Sequence, residues 1–147
     1  MTPDLLSNLP SRIHMILEEG AKEGASRIAF TDEDGAEWSY RRLIDTVADV
    51  AGKMAELGVR PGDRVMVVCE NSIAAIVLMY AASRLDAWSV MTSARLSSRE
   101  IDLIKEDSSP RCVFYTHTIS SEADAHARRH GATLEVFDEI GRVKVGS

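Results

Sequence analysis

Two cysteines, Cys69 and Cys112, are too few for a disulfide framework. Each falls inside an apolar run, so the sequence predicts two buried, reduced thiols. A bridge between neighbouring strands is compatible with their positions but not required. Basic residues number 17 against 23 acidic ones and are scattered, so no nucleic-acid-binding stripe is expected. A formal net charge of -6 and a pI near 5.2 point to solubility rather than to a specific partner. Long hydrophobic runs are missing. The longest, Ile73 to Ala82, falls well short of the roughly 20 residues that span a bilayer. Met1 to Asn8 has no basic region followed by an apolar core, so neither a membrane span nor a signal peptide is expected, and a cytoplasmic location is.

Several chemistries lack their residues. There is no G-x-x-x-x-G-K-[ST] loop, no G-x-G-x-x-G and no G-x-S-x-G elbow. His126 and His130 would share a helix face, but no cysteine or acid joins them at metal-ligand spacing, so a surface helix is expected and no metal. His14 and His117 stand alone. Asp32-Glu33-Asp34 reads as a solvated hairpin tip, and Trp38 and Trp88 as core or interface fillers.

What is present is an α/β pattern in 147 residues, enough for a single core. Asn8 is placed to cap a first helix with Pro10 in its first turn and Ile13, Ile16, Leu17 and Ala21 on one apolar face. Gly20 and Gly24 weaken its end. Residues 28–39 read as a β-hairpin turning at Gly35. Ser39 caps the next helix, whose stripe is Leu43, Val47, Val50, Ala51 and Met54; Gly58 and Pro61-Gly62 end it. Val65 to Cys69 does not alternate, as befits a strand covered on both faces. A helix apolar nearly all round follows from Ile73, with Asp86 at its left-handed terminus. A strand at Ala87–Met91, a helix over 98–107 with a Ser97…Glu100 capping box, and a strand at Cys112–Tyr115 come next. Ser120 or Ser121 opens a weaker helix to His130, and Leu134–Phe137 is a last strand; Gly141 to Ser147 reads as a tail. Strand, buried helix, strand, helix is the grammar of a mostly parallel sheet flanked by helices.

One position in that pattern invites a ligand. In parallel α/β sheets ligands gather at the carboxyl ends of strands. Here the Val65–Cys69 strand ends in Glu70-Asn71-Ser72, at a helix N-terminus suited to an anion. Asn71 and Ser72 are therefore candidate binding residues, alongside the plainer role of capping the helix. No catalytic constellation can be assembled from the residues themselves.

Three segments resemble the opening of the adenylate-forming enzymes, the AMP-dependent synthetases and ligases, of acyl-CoA synthetase type. They are Trp38-Ser39-Tyr40-Arg41-Arg42-Leu43; Leu57-Gly58-Val59-Arg60-Pro61-Gly62-Asp63-Arg64-Val65 with Glu70-Asn71-Ser72; and Ala81 to Ala87 with Ser93-Ala94-Arg95-Leu96-Ser97, Glu100 and Ile101. Order and spacing match over about residues 12–116. Asp86 stands where the family usually has glycine, Met91-Thr92 where it has proline, and Ser93 where it has asparagine, so the backbone after Trp88 is expected to differ.

The resemblance implies an incomplete N-terminal domain: a helical segment over 1–27, the hairpin 28–39, an α/β unit over 40–138 and a tail or linker over 139–147. It implies a parent reaction in which a fatty or aromatic acid attacks ATP to give an acyl-adenylate, and coenzyme A displaces AMP. ATP, magnesium and coenzyme A belong to that whole enzyme. The family's "[ST]-G-T-T-G-x-P-K" loop and its C-terminal lysine domain are not in these residues, so no catalytic, cofactor-binding or metal-binding residue is carried over. The expectation is a scaffold, inactive alone, that exposes apolar surface and self-associates through it. The alternative is a stand-alone, non-catalytic α/β binding module derived from the family.

Overall fold

The computed structural model describes residues 5–147. In chain order the regular elements are α1 (Met15–Lys22), β1 (Ile28–Thr31), β2 (Glu37–Ser39), α2 (Tyr40–Glu56), β3 (Arg64–Cys69), α3 (Ile73–Arg84), β4 (Trp88–Ser93), α4 (Ser98–Ser108), β5 (Cys112–Tyr115), α5 (Ser121–Arg129), β6 (Leu134–Val136) and β7 (Val143–Gly146). β1 and β2 form the antiparallel hairpin, and the other strands make one sheet in the order β4-β3-β5-β7-β6.

β3 is the axis of that sheet, parallel to β4 on one side and to β5 on the other. Its side chains alternate between two cores. Val65, Val67 and Cys69 join α2 and α3 on one face, while Met66 and Val68 join α4 and α5 on the other. All five are buried, which explains why the run is continuously apolar rather than alternating. α3 packs against α2 and the sheet at once, burying Ile73, Ala74, Val77, Leu78 and Ala81.

Local signals set most boundaries. Ser39, Ser72, Ser97 and Ser120 each accept a hydrogen bond from the backbone N–H three residues on, and Ser97 with Glu100 completes the capping box. Asp86 takes φ 55° just past α3, as expected, and its carboxylate meets Arg12. With Met91-Thr92 in place of a proline, the ladder continues to Thr92 and Ser93, so β4 ends later than Met91.

Four expectations need correction. Asn8 closes a short 3-10 turn, Leu5–Asn8, and does not cap α1. Backbone bonds from Met15, Ile16 and Leu17 to the third residue before each make a tight turn there, and the helix begins after it without a side-chain cap. Of its expected apolar face only Leu17 is buried; Ile13 and Ile16 are exposed. Second, Trp38 is buried but Trp88 is 69% exposed on the edge strand β4.

Third, residues 139–147 are no tail. β7 pairs antiparallel with β5 and β6 and lies between them, so the sheet is mixed, with β7 alone running against the other four strands. Val143 is buried, and Lys144 reaches across to Asp124 of α5 at 2.6 Å. A Cβ on Gly146 would approach that of Ala132 to 3.3 Å, so the smallest residue suits the position. Fourth, His126 is buried rather than on a surface face.

Candidate functional site

The carboxyl ends of β3 and β4 open onto a cleft of about 700 Å³ against the first turns of α3. Cys69, Ala75, Ile76, Met79 and Met91 give it an apolar wall. Glu33 from the hairpin tip, Glu70, Asn71, Ser72, Ser93 and Arg95 supply its polar rim. The parallel register sets Cys69 beside Ser93, so the residues leaving the two strands meet at the mouth. There Arg95 donates from Nε to Glu70 Oε1 at 3.1 Å and from Nη2 to Oε2 at 3.0 Å. The carboxylate holds the guanidinium in its charged form, raising its pKa. Burial pushes the Cys69 thiol up, against a smaller opposing effect of a hydrogen bond with the Thr92 backbone, so it stays a thiol.

Both sequence candidates line this cleft, with different duties. Ser72 is already engaged: its Oγ accepts from Ala75 N at 3.3 Å and donates to Glu70 O at 3.2 Å. Asn71 is exposed, and it also borders a smaller recess of about 200 Å³ with Phe30, Asp32 and Glu33. The N-terminus of α3 attracts negative charge, but two carboxylates and one guanidinium already occupy the rim. The arrangement suits an amphipathic or neutral group better than a polyphosphate. Glu70 with Arg95, and the approach of Glu33, were not legible as site features. The signal was there: a strand–helix–strand unit aligned in parallel puts residues just past Cys69 and Ser93 side by side.

The remaining histidines are held in place individually. His14 Nδ1 lies 2.9 Å from Ser83 Oγ, and burial lowers its pKa. His117 Nε2 meets Glu135 at 2.8 Å. His126 Nε2 lies 3.2 Å from the carbonyls of Ala94 and Leu96. His130 sits between Tyr115 and Asp102. Among the described residues no three metal-binding side chains converge. Cys69 and Cys112 are free and buried, without a bridge. Among the described residues no helix is long and apolar enough to cross a membrane.

A second opening, of about 410 Å³, lies at the other end of β4, between residues 11–13, the end of α3 and Trp88. It combines exposed Ile13 and Trp88 with the Arg12–Asp86 pair. Strand polarity favours the first cleft as a ligand site.

A parallel strand pair carrying a cleft at its carboxyl edge, backed by a largely apolar helix, defines an α/β scaffold. The family model for AMP-binding enzymes matches residues 17–144, so the chain belongs to the AMP-binding enzyme family. It is 32% identical over 99 residues to the long-chain-fatty-acid–CoA ligase FadD13 of Mycobacterium tuberculosis, covering 67% of this chain and 19% of that ligase. It is 27% identical over 107 residues to the 2-succinylbenzoate–CoA ligase of Oceanobacillus iheyensis, covering 73% and 22%. The N-terminal domain of FACL13 from Mycobacterium tuberculosis shares the fold, with a TM-score of 0.74 over 89% of this chain and 33% of that one at 22% identity. The chain thus spans about a fifth of the length of these curated ligases.

Proposed function

We propose that this chain is scaffold from the N-terminal domain of an ATP-dependent carboxylic acid–CoA ligase that works through an acyl-adenylate, its substrate a fatty or aromatic acid. The observation that carries this is the family match across residues 17–144, over a segment whose strand–helix–strand core has the same order as the motifs. Residues 1–147 form one incomplete subdomain in this proposal, located in the cytoplasm. By themselves they have no phosphate loop, and their cleft mouth sets Glu33 and Glu70 against a single Arg95. That charge balance fits ATP, magnesium and the pyrophosphate of coenzyme A poorly, so none is assigned a contact here. Asn71 and Ser72 keep the structural role of ending β3 and starting α3.

Apolar surface at Trp88, Ile13 and Met91 supports a further part of the proposal, self-association through the β4 edge. The alternative, a stand-alone non-catalytic binding module, draws support from β7. It completes the sheet from within the chain and buries Val143, giving these residues a core of their own. Titration calorimetry of the purified chain with ATP–magnesium and with coenzyme A tests the scaffold assignment. No saturable heat is expected; binding of either at micromolar concentration would overturn the lack of nucleotide contacts.

A further inference from the structure

The sheet ends differently on its two sides. β6, at one edge, has three residues with Glu135 at its centre, a short and charged edge of the kind that resists pairing. β4, at the other, has six, Trp88-Ser89-Val90-Met91-Thr92-Ser93, with no charge and no proline. Its backbone groups divide between two directions. Trp88 and Ala94 donate their N–H groups inward, to Asp63 O and Cys69 O at the two ends of β3. Alternation then turns the backbone groups of Ser89, Met91 and Ser93 outward, where no strand pairs with them among the described residues.

Two groups along this edge already have partners. Ser93 O accepts from Leu96 N at 3.2 Å, and Ala87 N donates to Ala82 O at 3.0 Å. What is left open among the described residues is symmetric about Val90: both groups of Ser89 and Met91, the Ser93 N–H and the Ala87 O. Turning the strand end for end about Val90 sets each of these opposite its complement. Ser89 then exchanges both bonds with Met91 of a second copy, and Ser93 N–H meets that copy's Ala87 O. The pair this register leaves apart, Ala87 N–H and Ser93 O, are the two groups with partners at home. A register centred on Met91 instead sets Ser89 N–H against the engaged Ser93 O. The side chains agree. From Ala87 to Ala94 no charge opposes a second copy. Val90 faces Val90, and the exposed Trp88 lies beside Thr92 of the other strand. Beyond the ends, Asp86 comes alongside Arg95, opposite in sign. A partner that matches this edge group for group is the edge itself, reversed.

We propose that β4 is the contact of an isologous dimer: two copies of this chain pair antiparallel about Val90, and their sheets join into one continuous sheet. The dimer rests on the self-association through the β4 edge proposed above and gives it a direction and a register.

Sedimentation velocity and copper–phenanthroline cross-linking of the purified chain test this. The parent should show a concentration-dependent dimer. In a non-hydrogen-bonded antiparallel pair the Cα atoms lie about 4.5 Å apart, within the span of a disulfide. Val90→Cys should therefore cross-link to itself, and faster than Met91→Cys. The parent should not cross-link, since Cys69 and Cys112 are buried. Met91→Pro removes an outward N–H and leaves the ladder to β3 intact, so it should fold and weaken dimerisation by about tenfold or more. Should that variant not fold, the comparison of Val90→Cys with Met91→Cys decides the matter. Monomers at all concentrations would overturn the dimer and the self-association beneath it. A dimer in which Met91→Cys cross-links as fast as Val90→Cys, or which a folded Met91→Pro leaves unchanged, would overturn this pairing and leave self-association standing.

Discussion

Arg95 and Glu70 lie 25 residues apart in the chain, yet form a two-bonded pair across the carboxyl ends of β3 and β4. Arg95 is 75% exposed and Glu70 only 26%. The pair therefore closes the rim of the cleft without serving as a main support of the fold, since exposed pairs are screened and contribute little. Arg95→Ala should lower the urea midpoint slightly, and the difference from the parent should vanish in 1 M salt. A large, salt-insensitive loss would show that the pair has a structural role.

Gly20 lies within α1, where alanine normally stabilises a helix by about 0.5–1 kcal/mol. Here a new Cβ would clash with the Tyr40 ring. Gly20→Ala should instead destabilise the protein by about 1–2 kcal/mol. In a Tyr40→Ala background the same change should become neutral or stabilising. A double-mutant cycle read by denaturant unfolding separates the two effects.

Leu78 is fully buried in α3 and Trp88 is largely exposed on β4. Leu78→Ala should cost about 2–5 kcal/mol. Trp88→Ser should change stability by less than about 0.5 kcal/mol but reduce any concentration-dependent sedimentation. A monomer at all concentrations, with no dye-accessible apolar patch, would count against self-association through this edge.

Asp86 occupies the left-handed region, φ 55°, where a non-glycine residue carries strain of about 1–2 kcal/mol. Glycine relieves that strain but loses the Arg12 pair and gains unfolded-state entropy. Asp86→Gly should be neutral to stabilising by up to about 1 kcal/mol, and Asp86→Ala destabilising. Thermal midpoints of the two variants give the ordering.

His14 packs against Ser83 with its pKa lowered, mainly by burial. A histidine lowered in the folded state binds fewer protons there than when unfolded. Its contribution is therefore fully present above the ordinary value of about 6.5 and is lost as pH falls through 6.5 toward the depressed folded value. Stability of the parent should decline over that window, and His14→Gln should decline less. Equal slopes for the two proteins would assign the effect elsewhere.

Features written in a few adjacent residues were legible. The serine caps of α2 to α5, the capping box, the left-handed Asp86 and the span Cys112–Tyr115 depend on local hydrogen bonding and steric preference. Features that depend on distant partners were not. Val-Lys-Val-Gly is too short and polar to announce a central strand; its place is set by Tyr115, Ala132 and Asp124. Trp88 reads as a filler by size, but its exposure depends on β4 being an edge. At the cleft, Asn71 and Ser72 were found because they follow a strand and start a helix. Glu70 with Arg95 and the approach of Glu33 required the strand register and the hairpin's position.

Carboxylate-dependent exchange of labelled pyrophosphate into ATP reports acyl-adenylate formation without requiring coenzyme A. Assayed with the purified 147 residues, ATP–magnesium and a panel of fatty and aromatic acids, it should give no signal above the protein-free control. Steady exchange that depends on both the acid and this chain would contradict the assignment of these residues as scaffold alone.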